Sequence, residues 1–172
     1  MYPSLTSTFL KYFNNLNNIN KTYLEIGCGQ STIYFSKKFK KVIGLENDKD
    51  WFNEINKIKP ENVDLSLFNK DNIDFLLKEK LNEKPDYIMV DNNPTYISRF
   101  DIVKLVHFNK KNDCIILLDN GTWNKEAYFF LKEKYYCMDF PGTNKHNENT
   151  VTSIFFTNTN SKYIYGEEWY II

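Results

Sequence analysis

The stretch YLEIGCGQST at residues 23–32 decides how the whole chain is interpreted. Apolar residues and the acid Glu25 precede a Gly-Cys-Gly turn, and a helical segment begins at Ser31. This order predicts a first β-strand, a tight loop and the start of a helix. Because glycine tolerates φ > 0 and has no Cβ, Gly27 and Gly29 would allow a sharp turn and a close approach to a ligand. In an open α/β sheet, ligands bind in the crevice beyond the carboxyl end of such a strand.

The residues around this loop favour one kind of ligand. Thr32 stands where the dinucleotide pattern G-x-G-x-x-G has its last glycine. Glu25 would repel a pyrophosphate but suits a ligand with an ammonium group. Glu46 ends the apolar run 42–45 and is placed to accept hydrogen bonds from both hydroxyls of a ribose. An amine-bearing nucleoside satisfies both acids, and S-adenosylmethionine (SAM) is the obvious one. The alternative is a glycine-rich turn in some other α/β protein.

The loop and its two acids together resemble the class I SAM-dependent methyltransferases. The resemblance implies SAM as the cofactor and a Rossmann-like doubly wound α/β sheet. That sheet is mostly parallel, with a C-terminal antiparallel hairpin and the strand order 3-2-1-4-5-7-6. The resemblance also implies a set of cofactor-binding residues, which are Glu25, Gly27, Cys28, Gly29, Gln30, Ser31, Thr32, Glu46, Asn47, Asp71, Asn72 and Asp91.

The rest of the sequence repeats the alternation of strand and helix. Apolar runs predict strands at 22–26, 41–46, 63–67, 86–91 and 114–119, and apolar residues at helical spacing predict helices between them. Two last strands, at 135–140 and 151–157, are separated by a polar loop containing Pro141-Gly142. A connection without a helix implies that these two strands are antiparallel. We predict a single domain over 1–172, with an N-terminal helix over 1–20 and a tail over 158–172.

Four of the predicted strands end in an acid, namely Glu25, Glu46, Asp91 and Asp119. If strands one, two, four and five are parallel, these four acids lie at the same edge of the sheet. A single carboxylate at the end of a strand could instead cap the next helix. Four on one rim indicate a site for a ligand or for catalysis.

The second half of the chain resembles the divalent-metal-dependent O-methyltransferases of the catechol and caffeoyl-coenzyme A type. The resemblance rests on the runs PDYIMVD at 85–91 and ILLDNGTWN at 116–124. It implies that Asp91, Asp119 and Asn120 bind one metal ion, and three oxygen ligands suit Mg²⁺, Mn²⁺ or Ca²⁺. Such an ion would lower the pKa of an acceptor hydroxyl. Asp91 and Asp119 are also candidate catalytic residues. The alternative is that Asp119 and Asn120 cap the following helix while Asp91 faces the cofactor.

Four further residues are candidates for catalysis, substrate binding or the adenine pocket. His146 lies in the polar loop after Pro141-Gly142 and is a candidate catalytic residue. Arg99 is the only arginine; it could clamp a carboxylate or phosphate of the substrate, or pair with a nearby Asp. Trp123 follows the Asp-Asn pair, as a tryptophan often does in the metal-dependent family, and is assigned to the substrate with Arg99. Trp51 could line an adenine pocket or be a core aromatic.

Composition argues against several classes of partner. Lys+Arg and Asp+Glu number 22 each, so the net charge is +0 and no global field draws the chain to nucleic acid or to an acidic membrane. No apolar stretch approaches the ~20 residues of a membrane helix. No apolar signal core accompanies Lys11, and the three scattered cysteines suit a reducing compartment. We expect a cytoplasmic protein that binds neither nucleic acid nor membrane.

We expect an O-methyltransferase that acts on a hydroxylated small molecule or a sugar. Arg99 and the run TSIF at 152–155 add a looser resemblance to small bacterial and phage-encoded methyltransferases associated with glycan genes. Two alternatives stay open: a metal-independent N- or O-methyltransferase with a side-chain base, and a catalytically silent nucleoside-binding subunit. Little chain precedes strand one. The acceptor pocket should therefore be open, or completed by residues 141–150, by the tail or by a second copy in a homodimer.

Overall fold

The computed structural model describes residues 3–94 and 97–157, which form one seven-stranded sheet with helices on both faces. The strands are β1 (Thr22–Ile26), β2 (Lys41–Glu46), β3 (Val63–Leu67), β4 (Tyr87–Val90), β5 (Ile115–Leu118), β6 (Tyr136–Thr143) and β7 (Asn149–Phe156). The helices are α1 (Ser7–Phe13), α2 (Gln30–Ser36), α3 (Lys49–Ile58), α4 (Ile73–Leu81), α5 (Arg99–Asn109) and α6 (Lys125–Lys132).

The order of the strands across the sheet is β3-β2-β1-β4-β5-β7-β6. The first five strands are parallel, and β7 pairs antiparallel with both β5 and β6. The predicted fold class and strand order are therefore confirmed. Because β1, β2, β4 and β5 are parallel, their carboxyl ends meet at one edge, as the argument from the strand-end acids requires.

Apolar residues explain why the central strands take this arrangement. β4 and β5 are buried along their whole length, which is typical of parallel strands covered on both faces. One face packs against α4, α5 and α6 through side chains such as Leu77, Val103 and Leu131. The other face packs against α1 and α2, where Phe13 and Phe35 meet edge to face with ring centroids 5.4 Å apart. Such pairs add to the stability gained from apolar burial.

The structure corrects the prediction for two segments. The N-terminal helix is shorter than the region given to it, because α1 spans only Ser7–Phe13. The predicted loop residues Pro141 and Gly142 lie inside β6, opposite Val151 and Thr150. β6 is an edge strand, so the missing N–H of proline breaks no ladder on its open side. The predicted tail at 158–172 lies outside the described residues. In the part of the chain that is described, no helix has the length and apolar character needed to cross a membrane.

Candidate cofactor and acceptor site

A cavity of about 290 Å³ opens at the carboxyl ends of β1, β2 and β4. It lies where the sequence predicts a ligand, beyond the strand-end acids and against the glycine loop. Its lining residues are Ser4, Gly27, Cys28, Gly29, Gln30, Ser31, Glu46, Asp48, Trp51, Asp91, Asn93 and Lys145.

Gly27 is the residue that lets the loop leave β1 and turn toward the cavity. Its φ is +93°, a value that side chains other than hydrogen rarely allow. A Cβ at this position would lie 2.5 Å from backbone atoms of Asp91 and Asn92. Its N–H donates to the carbonyl of Leu45 at 2.8 Å, which ties the loop to β2. The first glycine of the motif is therefore required by both the backbone angle and the neighbouring chain.

Trp51 forms a wall of the cavity beside the second glycine. The indole Nε1 donates to the carbonyl oxygen of Cys28 at 2.7 Å. Asp48 fixes the start of α3 as its N-cap, since its carboxylate accepts from the N–H of Trp51 at 2.9 Å. Trp51 lines the cavity and is 41% exposed, so it is not a core aromatic, and its part in an adenine pocket stays a prediction.

Glu46 and Asn47 end β2 with polar groups suited to a nucleoside. Glu46 is buried, which raises the pKa of its carboxyl, and its Oε1 accepts from the backbone N–H groups of Asn47 and Asp48 at 2.7 and 2.8 Å. The side-chain amide atoms of Asn47 are buried and have no hydrogen-bond partner among the described residues. Buried polar groups almost always have a partner. Asn47 is not among the residues that line the cavity, so the fit to the ribose of a nucleoside rests on Glu46.

The structure places Glu25 beneath the loop, where sequence reasoning expected it to face the ligand. Its side chain is fully buried, and it is not among the residues that line the cavity. Its carboxylate accepts from the hydroxyls of Thr32 and, at 3.3 Å, Tyr23. The Thr32 hydroxyl in turn accepts from the N–H of Gly29 at 2.8 Å. Glu25 and Thr32 thus stabilise the conformation of the glycine loop from its buried side. Burial raises the pKa of Glu25 to about 8.

Two other predicted cofactor residues lie apart from the cavity. Asp71 and Asn72 are exposed in the turn before α4. Asn72 uses its side chain within that turn, where Oδ1 accepts from the N–H of Asn69 at 2.8 Å. The N–H of Asp71 donates to the side chain of Asn69 at 2.9 Å. Their part in cofactor binding stays a prediction.

The predicted metal ligands surround a buried guanidinium. Arg99, at the start of α5, is 7% exposed. Its Nη2 donates to Oδ1 of Asp91 at 2.8 Å, and its Nη1 donates to the carbonyl of Asp119 at 2.6 Å and to Oδ1 of Asn120 at 3.3 Å. Its Nε donates to the carbonyl of Asn92 at 2.9 Å. Of the alternatives for Arg99, the structure shows the ion pair with a nearby Asp.

Two further side-chain atoms of these predicted ligands are engaged by the protein. Oδ1 of Asp119 accepts from the hydroxyl of Thr152 at 2.6 Å, and Nδ2 of Asn120 donates to the hydroxyl of Thr150 at 3.2 Å. Burial raises the pKa of Asp119 to about 7, and the nearby charge of Asp91 adds to that rise. Burial likewise raises the pKa of Asp91, which the Arg99 charge opposes.

The predicted metal site is therefore corrected. No group of three or more His, Cys, Asp or Glu side chains that could hold a metal ion occurs within residues 3–94 and 97–157. Carboxylates placed close together repel unless a cation lies between them or one takes a proton. Beside Asp91 that cation is the guanidinium of Arg99, which reaches Asp119 only at its backbone carbonyl. The residues present do not fit a divalent cation, because the Arg99 guanidinium already holds one carboxylate oxygen of Asp91 and the side-chain oxygen of Asn120.

A second cavity, of about 260 Å³, adjoins the first on the side of β5. Its lining includes Pro94, Arg99, Phe100, Trp123 and Lys125. The loop after β4 contributes to both cavities, and Trp123 is 57% exposed. The predicted substrate residues Arg99 and Trp123 therefore share one cavity next to the glycine loop.

His146 lies in the turn between β6 and β7 and is exposed. Its backbone N–H donates to Oδ1 of Asn144 at 2.9 Å, and its side chain is not among those that line either cavity. Its neighbour Lys145 does line the first cavity. That residues 141–150 complete the acceptor pocket stays a prediction, because Lys145 is not among the residues that line the second cavity. The sequence indicated the segment but gave no signal for this residue, or for Ser4.

No protein-family model matches the chain, and no curated protein matches its sequence. Solved structures do match its fold. An O-methyltransferase from Streptomyces achromogenes involved in tomaymycin synthesis, in complex with SAM, has a TM-score of 0.62 at 12% identity, with 88% of this chain and 78% of that one covered. A precorrin-6y C5,15-methyltransferase from Geobacter metallireducens has a TM-score of 0.60 at 16% identity, with 80% and 82% covered.

A solved structure that is not named as a methyltransferase has a similar fold. Spermidine synthase from Thermotoga maritima has a TM-score of 0.59 at 15% identity, with 97% of this chain and 66% of that one covered. These likenesses show that the chain has the Rossmann-like fold of the class I methyltransferases.

Proposed function

We propose that this chain is a SAM-dependent methyltransferase. The observation that carries the proposal is the cavity lined by the glycine loop, the Glu46 carboxylate and the Trp51 indole. A carboxylate at the end of the second strand suits the ribose hydroxyls, and the Trp51 indole offers a face on which the adenine can stack. The SAM complex among the structures of like fold supports the same ligand.

The acceptor that this site suits best is a hydroxylated small molecule or a sugar. Two observations support this choice, namely the cavity beside the cofactor cavity and the exposed indole of Trp123 within it. An aromatic face offers a stacking surface to a sugar or to a phenol. The cavity is open, so it admits an acceptor that is part of a larger molecule.

We propose a mechanism in which a side chain accepts the proton of the acceptor hydroxyl, without a metal ion to lower the pKa of that hydroxyl. SAM, when bound, supplies a methyl carbon whose bond to sulfur breaks as its bond to the acceptor oxygen forms, leaving S-adenosylhomocysteine. Asp91 lines the cofactor cavity and accepts the proton of the acceptor hydroxyl. Burial makes this carboxylate a better base than an exposed aspartate, and Arg99 holds it in place through Nη2.

Calorimetry with S-adenosylhomocysteine tests the cofactor assignment. We expect binding together with a higher melting temperature, because a ligand that binds only the folded state stabilises it. Glu46→Ala should weaken binding by about 1.5–3 kcal/mol, the usual range for hydrogen bonds to a charged group. Glu61→Ala, at an exposed position outside the cavity, is the matched control. Absence of binding, or preference for NAD, would refute the assignment.

Release of S-adenosylhomocysteine from SAM in the presence of hydroxylated acceptors tests the activity. Asp91→Asn should lower turnover about 100-fold or more, the usual contribution of a general base. Binding of S-adenosylhomocysteine without turnover on a broad panel of sugars and phenols would favour the alternative of a silent nucleoside-binding subunit.

A further inference from the structure

Lys145 reaches from the β6–β7 turn to the glycine loop at the other end of the sequence. Its Nζ donates to Oε1 of Gln30 at 2.9 Å, and Gln30 directly follows Gly29. Both side chains line the cofactor cavity. The contact therefore places an ammonium group over the loop that, under the proposed function, holds the amino-acid end of SAM.

Negatively charged side chains outnumber positively charged ones in the lining of this cavity. Three carboxylates, those of Glu46, Asp48 and Asp91, face a single cation among the described lining residues, and that cation is Lys145. Within the described ranges, no carboxylate lies within ion-pair distance of Lys145, whose hydrogen bond to Gln30 is to a neutral amide. Among the described residues, this ammonium thus has no charged partner.

We infer that Lys145 binds the carboxylate of the amino-acid part of SAM, an inference that rests on the proposed function. That part of the ligand carries one ammonium and one carboxylate. The carboxylates that line the cavity supply negative charge for the first, and Lys145 supplies the positive charge for the second. The Gln30 amide accepts from Lys145 through Oε1 and has its Nε2 left to donate to the same carboxylate.

This arrangement would also couple ligand binding to the hairpin. Lys145 lies on the turn that joins β6 and β7, whereas Gln30 begins α2. A carboxylate held between them would bridge two elements that are far apart along the chain. The bound cofactor would therefore fix the turn over the cavity, next to the site of the acceptor.

A pair of ligands that differ only in the carboxylate tests the inference. S-Adenosylhomocysteine carries it, and S-adenosyl-3-thiopropylamine keeps the adenosine, thioether and ammonium but lacks it. Calorimetry would compare both ligands on the wild type, Lys145→Met, Lys145→Arg and Lys40→Met. Lys40 is an exposed lysine outside the cavity, so Lys40→Met controls for the loss of one positive charge.

Lys145→Met should lower the affinity for S-adenosylhomocysteine about 10-fold or more and leave the affinity for the amine analogue within about twofold. Lys145→Arg should keep most of the wild-type affinity, and Lys40→Met should keep all of it. The loss should shrink as salt is raised, since salt screens exposed charges.

An equal loss for the two ligands, or no loss for either, would overturn the role of Lys145 while leaving the cofactor assignment intact. A wild type that binds neither ligand would overturn the proposed function, and the inference with it. Lys145 is exposed, so Lys145→Met should fold as the wild type does, and its melting temperature without ligand checks this.

Discussion

The guanidinium of Arg99, the first residue of α5, donates through Nη2 at 2.8 Å to Oδ1 of Asp91, which directly follows β4. The same guanidinium donates to the backbone of Asp119 at the end of β5. One side chain thus neutralises and ties together two neighbouring strand ends. The positive charge expected from a metal ion is supplied by a residue that only the folded structure brings into place.

Loss of this guanidinium should destabilise the fold strongly. Arg99→Met leaves the partly buried Asp91 without its cation, and breaking a pair of this kind costs up to about 3–5 kcal/mol. Urea unfolding would measure the change. Lys104→Met is a matched control, because Lys104 pairs with Asp101 at 2.8 Å on the exposed side of the same helix. An exposed ion pair adds about 1 kcal/mol or less to the free energy of unfolding. Equal losses for the two variants would therefore contradict the claim that the Arg99 ion pair stabilises the fold strongly.

Divalent cations should have no effect on the wild type. With the guanidinium in place, electron paramagnetic resonance should detect no stoichiometric binding of Mn²⁺, and exhaustive chelation should leave turnover unchanged. Arg99→Ala frees side-chain oxygens of Asp91 and Asn120 and the backbone carbonyl of Asp119, three oxygen donors of the kind that hard cations prefer. This variant should bind Mn²⁺ more tightly than the wild type. Stoichiometric binding of Mn²⁺ to the wild type, abolished by Asp119→Asn, would restore the metal site.

The fold could be predicted from the sequence because strand-like and helix-like patterns of apolar residues alternate regularly along the chain. Predicted strands at 22–26, 41–46 and 63–67 match β1, β2 and β3, and the acids at the strand ends share one rim. Such periodicity depends on neighbouring residues, so it can be recognised without tertiary contacts. The sequence predicts a loop at Pro141, because nothing in the local sequence shows that β6 lies at the edge of the sheet, where a proline is tolerated.

The site was predictable only where its residues are neighbours in sequence. Gly27 and Glu46 lie at the cavity because each directly follows or ends a strand. The direction of the Glu25 side chain, by contrast, depends on the face of β1 that it occupies. The bridge from Lys145 to Gln30 joins positions 115 residues apart. Nothing in either local sequence specifies such a contact.

The two glycines of the loop should differ sharply in their tolerance of alanine. Gly27→Ala would place a Cβ 2.5 Å from the backbone of Asp91 and Asn92, in a residue whose φ is +93°. Relieving either the contact or the backbone strain would require the main chain to shift. We expect a loss of at least about 2 kcal/mol in the free energy of unfolding. Gly29 has an extended φ of −175°, and its added Cβ would lie 3.4 Å from Nε1 of Trp51. Gly29→Ala should stay within about 1 kcal/mol of the wild type. Urea unfolding of both variants makes the comparison, and a larger loss for Gly29→Ala would contradict the structure of the loop.

The buried carboxyl of Glu25 should make the protein less stable as the pH rises from 4.5 to 8. Burial raises its pKa from the ordinary value of 4.5 to about 8 in the folded state. Between these values the folded state keeps a proton that the unfolded state has released. The unfolded state then binds fewer protons, so the free energy of unfolding falls with increasing pH. The fall reaches at most about 1.4 kcal/mol per pH unit.

Glu25→Gln removes this titration while leaving an oxygen that can accept from Thr32 and Tyr23. The free energy of unfolding of the variant minus that of the wild type should therefore increase from pH 5 to pH 8. Contributions from all other titrating groups cancel in that difference as long as the substitution leaves their surroundings unchanged. Urea unfolding at several pH values would measure it. A difference that is constant over this range, or that decreases, would show that Glu25 is ionised in the folded protein at neutral pH and faces the cavity after all.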